Sequence, residues 1–204
     1  MTTAGEGGFL TTNDKTVWER AWSYKDHGKS FDAVYNRTYP PGFRWLHTSF
    51  GTNWRLTEFQ SAMGRVLLKK LPRYIQARKD NAQILSQCFS EISGIRTTIP
   101  SVEIGHSYYK YYAFVEPAKL KPGWTRDRVL QAIMAEGVPC FTGSCSEIYL
   151  EEAFAQGDLR PKERLPVAKE LGETALMFLV HPTISKEDQA DVCAAVQKVF
   201  AVCC

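Results

Sequence analysis

Residues 51–64 read Gly-Thr-Asn-Trp-Arg-Leu-Thr-Glu-Phe-Gln-Ser-Ala-Met-Gly, which predicts a polar loop that runs directly into a helix. The loop carries the amide of Asn53 and the guanidinium of Arg55, and Thr57 is a favourable N-cap for the helix. Amide and guanidinium N–H groups are suitable donors to phosphate or carboxylate oxygens. The spacing favours a ligand-binding loop, but on spacing alone Asn53 is equally well explained as a turn residue.

A second unusual segment lies near the start of the chain, where Glu6 is surrounded by glycines in the sequence Gly-Glu-Gly-Gly. Glycines around a carboxylate predict a sharp turn or a close approach to a ligand. Such turns usually join two elements, so the chain is interpreted as the second half of a longer protein.

The composition is that of an ordinary globular chain. Its residues are 44% hydrophobic and 23% charged, as in globular proteins, and its length of 204 residues is enough for one domain or two small ones. The net charge of +3 is spread along the sequence without a basic stripe, which argues against a nucleic-acid partner. No run of eighteen apolar residues and no signal-peptide pattern are present, so we expect a cytoplasmic protein without a membrane partner.

Six cysteines are present, but their spacing is not that of a metal site. The chain has no Cys-x-x-Cys pair and no histidine at ligand spacing, which favours free thiols in a cytosolic protein and no bound metal. Cys140 and Cys145 flank a predicted loop, where a reactive thiol is an alternative to a packed one. The six are Cys88, Cys140, Cys145, Cys193, Cys203 and Cys204.

Hydrophobic periodicity predicts the elements of the first part of the chain. Residues 9–12 resemble a strand, and Asn13-Asp14 caps a helix that extends to about Lys25. The long segment 26–52 shows no helical period, and loops of that length are usually functional or bound to a partner. The helix that starts after Thr57 is expected to end at Pro72, with a second helix following before Gly94.

Beyond Gly94 short strands alternate with helices, which predicts an α+β domain with helices on one face of a small sheet. Thr125 and Ser185 are the expected helix caps. The predicted strands cover residues 95–99, 109–115 and 175–180, and the predicted helices cover residues 125–136 and the segment after Ser185.

Several of these segments together resemble the DegT/StrS family of pyridoxal-phosphate-dependent sugar aminotransferases. The matching segments occur in the family's order and cover essentially the whole chain. They are the Gly-Glu-Gly-Gly opening, Asp26-His27-Gly28, the loop and helix start at 51–64, the tyrosine-rich segment 108–115, Gly137-Val138-Pro139 and residues 166–171.

The resemblance implies an α/β fold, α+β in this portion, of the aspartate-aminotransferase-like (fold type I) class. Residues 1–70 would be the remnant of the large cofactor-binding domain with its shared-site loop. Residues 71–204 would be the connecting helix and the small C-terminal domain. The family's Schiff-base lysine would lie about two residues upstream of Met1, so the resemblance implies that the chain lacks it and is inactive alone.

The resemblance also assigns roles in the first seventy residues. Asn53 would bind the cofactor phosphate of the neighbouring subunit. Arg55 would bind the substrate diphosphate or the carboxylate of the amino donor, although pairing with Glu58 is an alternative. Glu6 would lie near the cofactor, in an orienting or a structural role. His27 is better explained as a helix-ending residue than as a catalytic base.

In the tyrosine-rich segment, Tyr109 and Lys110 would contact a nucleotide sugar. Lys110 stands where many relatives carry a histidine, and strand aromatics are often core or cross-strand partners instead. The segment 143–149 replaces the family's usual Tyr/His-rich loop near the sugar, so the sequence does not identify the sugar.

The activity implied is transfer of an amino group from glutamate to a nucleotide-linked keto-sugar, in amino-sugar, cell-surface polysaccharide or antibiotic sugar biosynthesis. Pyridoxal phosphate would be the cofactor, and the site would be shared across a homodimer. Two alternatives remain open. One is a sugar dehydratase of the same family, and the other is a non-enzymatic module for dimerisation or sugar-nucleotide binding.

Overall fold

The computed structural model describes residues 3–155 and 159–204 and divides into two compact units. The first unit ends at Leu71, and the second extends from Pro72 to Cys204. The chain is a mixture of helices and a small antiparallel sheet, which agrees with the predicted fold class.

The first unit contains α1 (Lys15–Lys25), α2 (Phe31–Tyr35) and the beginning of α3 (Glu58–Ser90). The predicted cap of α1 is confirmed, because Asp14 Oδ1 accepts hydrogen bonds from the backbone N–H groups of Thr16 at 2.7 Å and Val17 at 3.1 Å. The predicted strand at residues 9–12 is wrong. Within the described residues it has no partner strand, and an extended segment without a partner forms no ladder.

The sequence did not predict α2, which lies inside the long segment 26–52. Its N-cap is Ser30, whose hydroxyl accepts a hydrogen bond from Ala33 N–H. Trp18 and Trp22 of α1 contact the ring of Phe31 edge-on, with centroids 4.8 Å and 5.1 Å away. Five residues are too few to show a helical period, and the aromatic contacts pack this short helix against α1.

The predicted break at Pro72 is also wrong, because α3 continues through it. A proline inside a helix removes one hydrogen bond and costs roughly 3 kcal/mol. Burial of Ala82, Leu85 and Phe89 on the C-terminal half of α3 offsets that cost.

The second unit is built on a four-stranded antiparallel sheet in the order β1-β2-β4-β3. Ile95 pairs with Val115, and Tyr111 pairs with Phe178. The predicted strands are present but shorter, and the sequence missed β3. The strands are β1 (Ile95–Thr97), β2 (Tyr111–Val115), β3 (Cys140–Phe141) and β4 (Ala175–Phe178).

β2 begins at Tyr111, so Tyr109 and Lys110 lie in the segment before the strand and not in it. The prediction that the strand starts at residue 109 is therefore wrong. The backbone at Tyr108 has φ +47°, a left-handed conformation that cannot continue a β ladder.

Three helices complete the second unit: α4 (Arg126–Ala135), α5 (Pro166–Thr174) and α6 (Lys186–Cys203). Thr125 caps α4, and Ser185 forms a reciprocal capping box with Asp188 at the start of α6. Both caps were predicted and are confirmed. Short 3-10 turns cover Pro117–Lys119, Ile148–Leu150 and Glu152–Ala155.

Apolar side chains from α3, α4 and α6 pack against the sheet to form one core. These side chains are almost completely removed from water, which is the main source of the unit's stability. They include Leu85, Phe89, Tyr111, Val129, Ile133, Leu176, Phe178, Val196 and Phe200.

Replacing the buried Val196 of α6 should destabilise the protein more than the same change at the surface of that helix. Val196→Ala removes two buried methyl groups and should lower the free energy of unfolding by about 2 kcal/mol. Val202, which is 59% exposed, is the matched control, and Val202→Ala should cost less than about 0.5 kcal/mol. Chemical denaturation measures both, and equal losses would contradict the core assignment.

Candidate functional site

The candidate site of the first unit is built where the end of α1 meets the loop before α3. Thr52 N–H donates to Tyr24 O at 2.7 Å, and His27 N–H donates to Thr52 O at 3.0 Å. These bonds place Asn53 opposite Asp26 in a short antiparallel bridge. The loop that the sequence singled out is therefore attached to the C-terminal end of α1 by main-chain hydrogen bonds.

Two glycines allow this close approach. A Cβ atom on Gly28 would overlap the carbonyl of Ser49, and a Cβ atom on Gly51 would overlap the backbone nitrogen of Gly28. Gly28 also has φ +84°, and His27 before it has φ +61°, which is uncommon for a residue with a side chain. Side chains other than hydrogen at positions 28 and 51 would separate the two segments.

The bridge gathers five polar side chains, which we call the Arg55 cluster: Asp26, His27, Lys29, Asn53 and Arg55. Arg55 is its centre. Its Nε donates to Asn53 Oδ1 at 3.1 Å, its Nη2 lies 3.3 Å from His27 Nε2, and its Nη1 lies 3.6 Å from Asp26 Oδ1. Because a guanidinium can only donate, a hydrogen bond between these two groups has His27 Nε2 as its acceptor.

The cluster contains two cations for one carboxylate. Lys29 Nζ lies 3.3 Å from Asp26 Oδ1, and the Asp26 side chain is largely buried. Burial alone would raise the pKa of Asp26, but its hydrogen bond to Lys29 and the charges of Lys29, Arg55 and Lys25 outweigh burial and hold the pKa below its ordinary value. The cluster therefore keeps a net positive charge.

Donor capacity remains available for a ligand. Asn53 and Arg55 are both exposed, and Asn53 Nδ2 has no hydrogen-bond partner within the described residues. The cluster can accordingly accept an anion such as a phosphate or a carboxylate.

Glu6 makes a main-chain contact and does not join the Arg55 cluster. Gln60 Nε2 donates to Glu6 O at 3.0 Å, while Gln60 Oε1 accepts from Thr57 N–H and Thr57 Oγ1 accepts from Gln60 N–H, each at 3.3 Å. Gln60 thus connects the predicted cap at Thr57 to the opening segment that contains Glu6. The Glu6 carboxylate makes no hydrogen bond to any described residue.

Tyr109 and Lys110 form a separate candidate site in the second unit. Lys110 Nζ lies 5.4 Å from the centre of the Tyr109 ring, which is a cation–π distance. Both residues line a cavity of about 370 Å³, together with His106, Tyr112 and Ser144. Tyr112 Oη accepts a hydrogen bond from Ser144 N–H at 2.9 Å, which fixes the loop on one side of that cavity.

Sequence reasoning missed the buried carboxylate that anchors the segment 143–149. Glu147 accepts hydrogen bonds from Arg164 Nε at 2.9 Å and from Tyr149 Oη at 2.6 Å. The hydrogen bond from Arg164, followed by that from Tyr149, lowers the pKa of Glu147 to about 2. The anchor joins residues seventeen positions apart, and neither residue belongs to a periodic pattern.

All six cysteines lie among the described residues as free thiols. Burial raises the pKa of Cys140 to about 12, so this thiol is a packed residue of β3 and not a nucleophile. Cys145 is exposed in the following loop. No group of three potential metal ligands occurs within residues 3–155 and 159–204.

Solved structures with the same fold place the chain among fold type I aminotransferases. An aminotransferase from Psychrobacter cryohalolentis is 47% identical, with a TM-score of 0.88 over 95% of this chain and 51% of that protein. An aminotransferase TlmJ from Streptoalloteichus hindustanus shares the fold at 23% identity, with a TM-score of 0.79 over 98% of this chain and 49% of that one. Residues 1–197 match the DegT/DnrJ/EryC1/StrS aminotransferase family, and the chain belongs to it.

Two curated relatives are named as an aminotransferase and as a synthase. A candidate L-glutamine:3-amino-2,3-dideoxy-scyllo-inosose aminotransferase from Micromonospora echinospora is 31% identical over 97% of this chain and 49% of its own length. GDP-perosamine synthase from Escherichia coli O157:H7 is 21% identical over 98% of this chain and 49% of its own length. The chain thus spans about half the length of the curated relatives it matches. Among its described helices, none is long and apolar enough to cross a membrane.

Removing the Asp26 charge should destabilise the protein in a pH-dependent way. Asp26→Asn should lower the free energy of unfolding by about 1 kcal/mol at pH 7, since it removes the partner of two cations. A carboxyl whose pKa is lowered by folding stabilises the folded state at pH values above its unfolded pKa. The loss of stability in Asp26→Asn should therefore persist down to the ordinary aspartate pKa of 3.8 and become smaller below that pH.

Asp32 provides the control for this prediction, because its pair with Arg37 is exposed. Asp32→Asn should leave the free energy of unfolding nearly unchanged, because solvent screens an exposed ion pair. Denaturant unfolding at pH 7, 5 and 3 gives the comparison. A deficit in Asp26→Asn that is the same at pH 3 as at pH 7 would contradict the assigned ion pairs.

Proposed function

We propose that this chain forms the phosphate-contacting loop and the substrate-contacting segment of a pyridoxal-phosphate-dependent sugar aminotransferase. The reaction is transfer of an amino group from glutamate to the ketone of a nucleotide-linked keto-sugar. The observation that carries the proposal is the Arg55 cluster, in which exposed donors and a net positive charge occur together on the loop at residues 51–57. Membership of the aminotransferase family supports it.

The donor set of the cluster fits the phosphate of pyridoxal phosphate. Asn53 has an amide N–H group that no described residue uses, and a neutral amide can donate to a phosphate oxygen. Asn53 would therefore hold the cofactor. In the family arrangement, this cofactor is the one bound by the neighbouring subunit of a homodimer. When bound, the cofactor supplies the electron sink for the transfer.

Arg55 has a different role in the proposal, which is to bind the carboxylate of the amino donor or the diphosphate of the sugar nucleotide. Asp26, His27 and Asn53 each hold one nitrogen of its guanidinium, so the planar fork is fixed before a ligand arrives. A preorganised guanidinium loses less side-chain entropy on binding than a free one. Glu6 would remain a structural residue that ties the opening segment to α3 through Gln60.

Tyr109 and Lys110 would contact the nucleotide part of the substrate. The Lys110 ammonium can bind a diphosphate, and the exposed Tyr109 ring offers a flat apolar surface for a base or a sugar. GDP-perosamine synthase is named for a nucleotide-linked sugar, which supports this substrate class.

The relative from Micromonospora echinospora favours a second candidate substrate. That protein is named for an amino-cyclitol ketone without a nucleotide and for glutamine as the donor, and it is 31% identical to this chain. In that case Lys110 would have no diphosphate to bind, whereas the role of Asn53 would be unchanged. We further propose a cytoplasmic enzyme, because six free thiols agree with a reducing compartment.

A hybrid protein tests the proposed reaction. The chain is joined to the part of the Psychrobacter cryohalolentis aminotransferase that it does not cover, since the two proteins are 47% identical where they match. With pyridoxal phosphate and glutamate, the hybrid should release 2-oxoglutarate when a nucleotide-linked keto-sugar is present. A folded, cofactor-saturated hybrid that transfers no amino group to keto-sugars or to a cyclitol ketone would contradict the proposal.

In this hybrid, Asn53→Ala should weaken cofactor binding and leave the fold intact. Loss of one hydrogen bond to a charged phosphate should raise the pyridoxal phosphate concentration for half-maximal activity about tenfold. Asn36→Ala is the matched control, because Asn36 is an exposed asparagine of the same unit that bonds only to Asp32 within the described residues. Equal cofactor requirements for Asn53→Ala and the unmodified hybrid would show that Asn53 does not contact the phosphate.

A further inference from the structure

Arg78 of α3 is a buried cation that none of the proposed steps uses. Only 5% of its surface is exposed. Its Nη1 donates to the carbonyl oxygens of Tyr108 at 3.3 Å and Tyr109 at 3.1 Å, whereas its Nε has no hydrogen-bond partner within the described residues. The contacts of Arg78 are therefore directed at the backbone just before β2.

Among the described residues, no carboxylate compensates this charge. None of the ion pairs found among residues 3–155 and 159–204 includes Arg78. Burial lowers the pKa of the guanidinium, and only Tyr109 acts in the opposite direction. A buried charge without an ion partner is costly, and an apolar residue of similar volume would avoid that cost. An arginine at position 78 therefore indicates a role other than packing in the core.

The backbone that Arg78 holds is strained. Tyr108 has φ +47°, a left-handed conformation that costs free energy for a residue with a bulky side chain. Tyr108 N–H donates to His106 Nδ1 at 3.1 Å, and the Tyr108 ring is stacked with that of Tyr111 at 6.4 Å. Strain of this kind persists only where surrounding contacts determine it, and the two carbonyl bonds from Arg78 are among those contacts.

The strained turn decides where the next two side chains lie. It turns the chain out of the ladder before Tyr111, the first residue of β2. As a result Tyr109 is 66% exposed, with the Lys110 ammonium 5.4 Å from the centre of its ring. Without the left-handed turn, residues 109 and 110 would continue the strand and alternate between its two faces.

We propose that Arg78 is the positioning residue for the Tyr109–Lys110 pair, and that it holds this pair ready for the diphosphate of a nucleotide-linked substrate. The inference rests on the proposed function, since it deepens the role given there to Lys110. Arg78 acts through the carbonyls of residues 108 and 109 and does not touch the ligand. Its buried charge adds to that of Lys110 in attracting an anion.

The test measures binding of UDP, GDP and dTDP to the full chain by titration calorimetry, each nucleotide separately. Lys110→Ala reports whether the pair binds the diphosphate. Arg78→Met should weaken binding about tenfold, since it removes both hydrogen bonds to the turn at similar side-chain volume. Arg73→Met is the matched control, because Arg73 is an exposed arginine of the same helix, and it should bind as the wild type does.

A second readout needs no ligand. Lys110 Nζ lies 5.4 Å from the centre of the Tyr109 ring, so the NMR signals of the adjacent ε-CH₂ protons should show a ring-current shift in the wild type and in Arg73→Met. The shift should disappear in Arg78→Met. Arg78→Lys keeps the charge but cannot reproduce the planar donor geometry, so it should weaken binding about threefold and lose part of the shift. This variant also serves if Arg78→Met does not fold.

The outcomes separate the inference from the proposed function. If Lys110→Ala weakens binding while the Arg78 variants bind like the wild type and keep its ring-current shift, the positioning role is wrong and the proposed substrate contact stands. If the wild type binds none of the three nucleotides, or Lys110→Ala binds as tightly as the wild type, the proposed substrate contact fails and the inference fails with it. If Lys110→Ala and Arg78→Met both weaken binding, and Arg78→Met also loses the ring-current shift, the positioning role and the proposed substrate contact are both supported.

Discussion

The close approach of two main-chain segments, residues 26–29 and 49–54, is the constraint on which the candidate site depends. Neither Gly28 nor Gly51 has room for a Cβ atom at this crossing. Main-chain hydrogen bonds such as that from His27 N–H to Thr52 O then fix the register of the bridge. The positions of Asn53 and Arg55 follow from that register, because these residues lie only two and four positions after Gly51.

The electrostatics of the Arg55 cluster follow from the same geometry. The crossing brings one buried carboxylate, Asp26, between Lys29 and Arg55, and the remaining positive charge has no acid to compensate it within the cluster. Fixed cations and exposed donors on a rigid loop are suited to anions, because little reorganisation is needed when the ligand binds. A similar principle operates at Arg78, where a buried cation fixes a strained turn and so determines the exposure of Tyr109 and Lys110.

Local signals in the sequence predicted several parts of the fold correctly. The caps at Asp14, Thr125 and Ser185 were found because a polar side chain ahead of an amphipathic run has one simple explanation. Helix α2 was missed because it is too short for periodicity. The continuity of α3 through Pro72 was missed because burial of distant residues decides it, and burial is not visible in a local pattern.

The candidate site was predictable to a similar extent. The Gly-x-Asn-x-Arg loop marked Asn53 and Arg55, but their contacts with Asp26 and His27 depend on a bridge between segments more than twenty residues apart. Arg78 occupies the apolar stripe of α3, three and four residues before the buried Asn81 and Ala82. A charged residue in such a stripe is a signal that sequence reasoning could have used, although its carbonyl partners could not be foreseen.

A crystal structure of this chain grown with pyridoxamine phosphate would show whether the Arg55 cluster binds the cofactor's phosphate, since this compound carries the cofactor's phosphate and ring. A phosphate oxygen should lie within hydrogen-bond distance of Asn53 Nδ2, with the bridge between Asp26 and Asn53 retained. A phosphate bound away from the Arg55 cluster, while Asn53 and Arg55 stay open to solvent, would contradict this expectation.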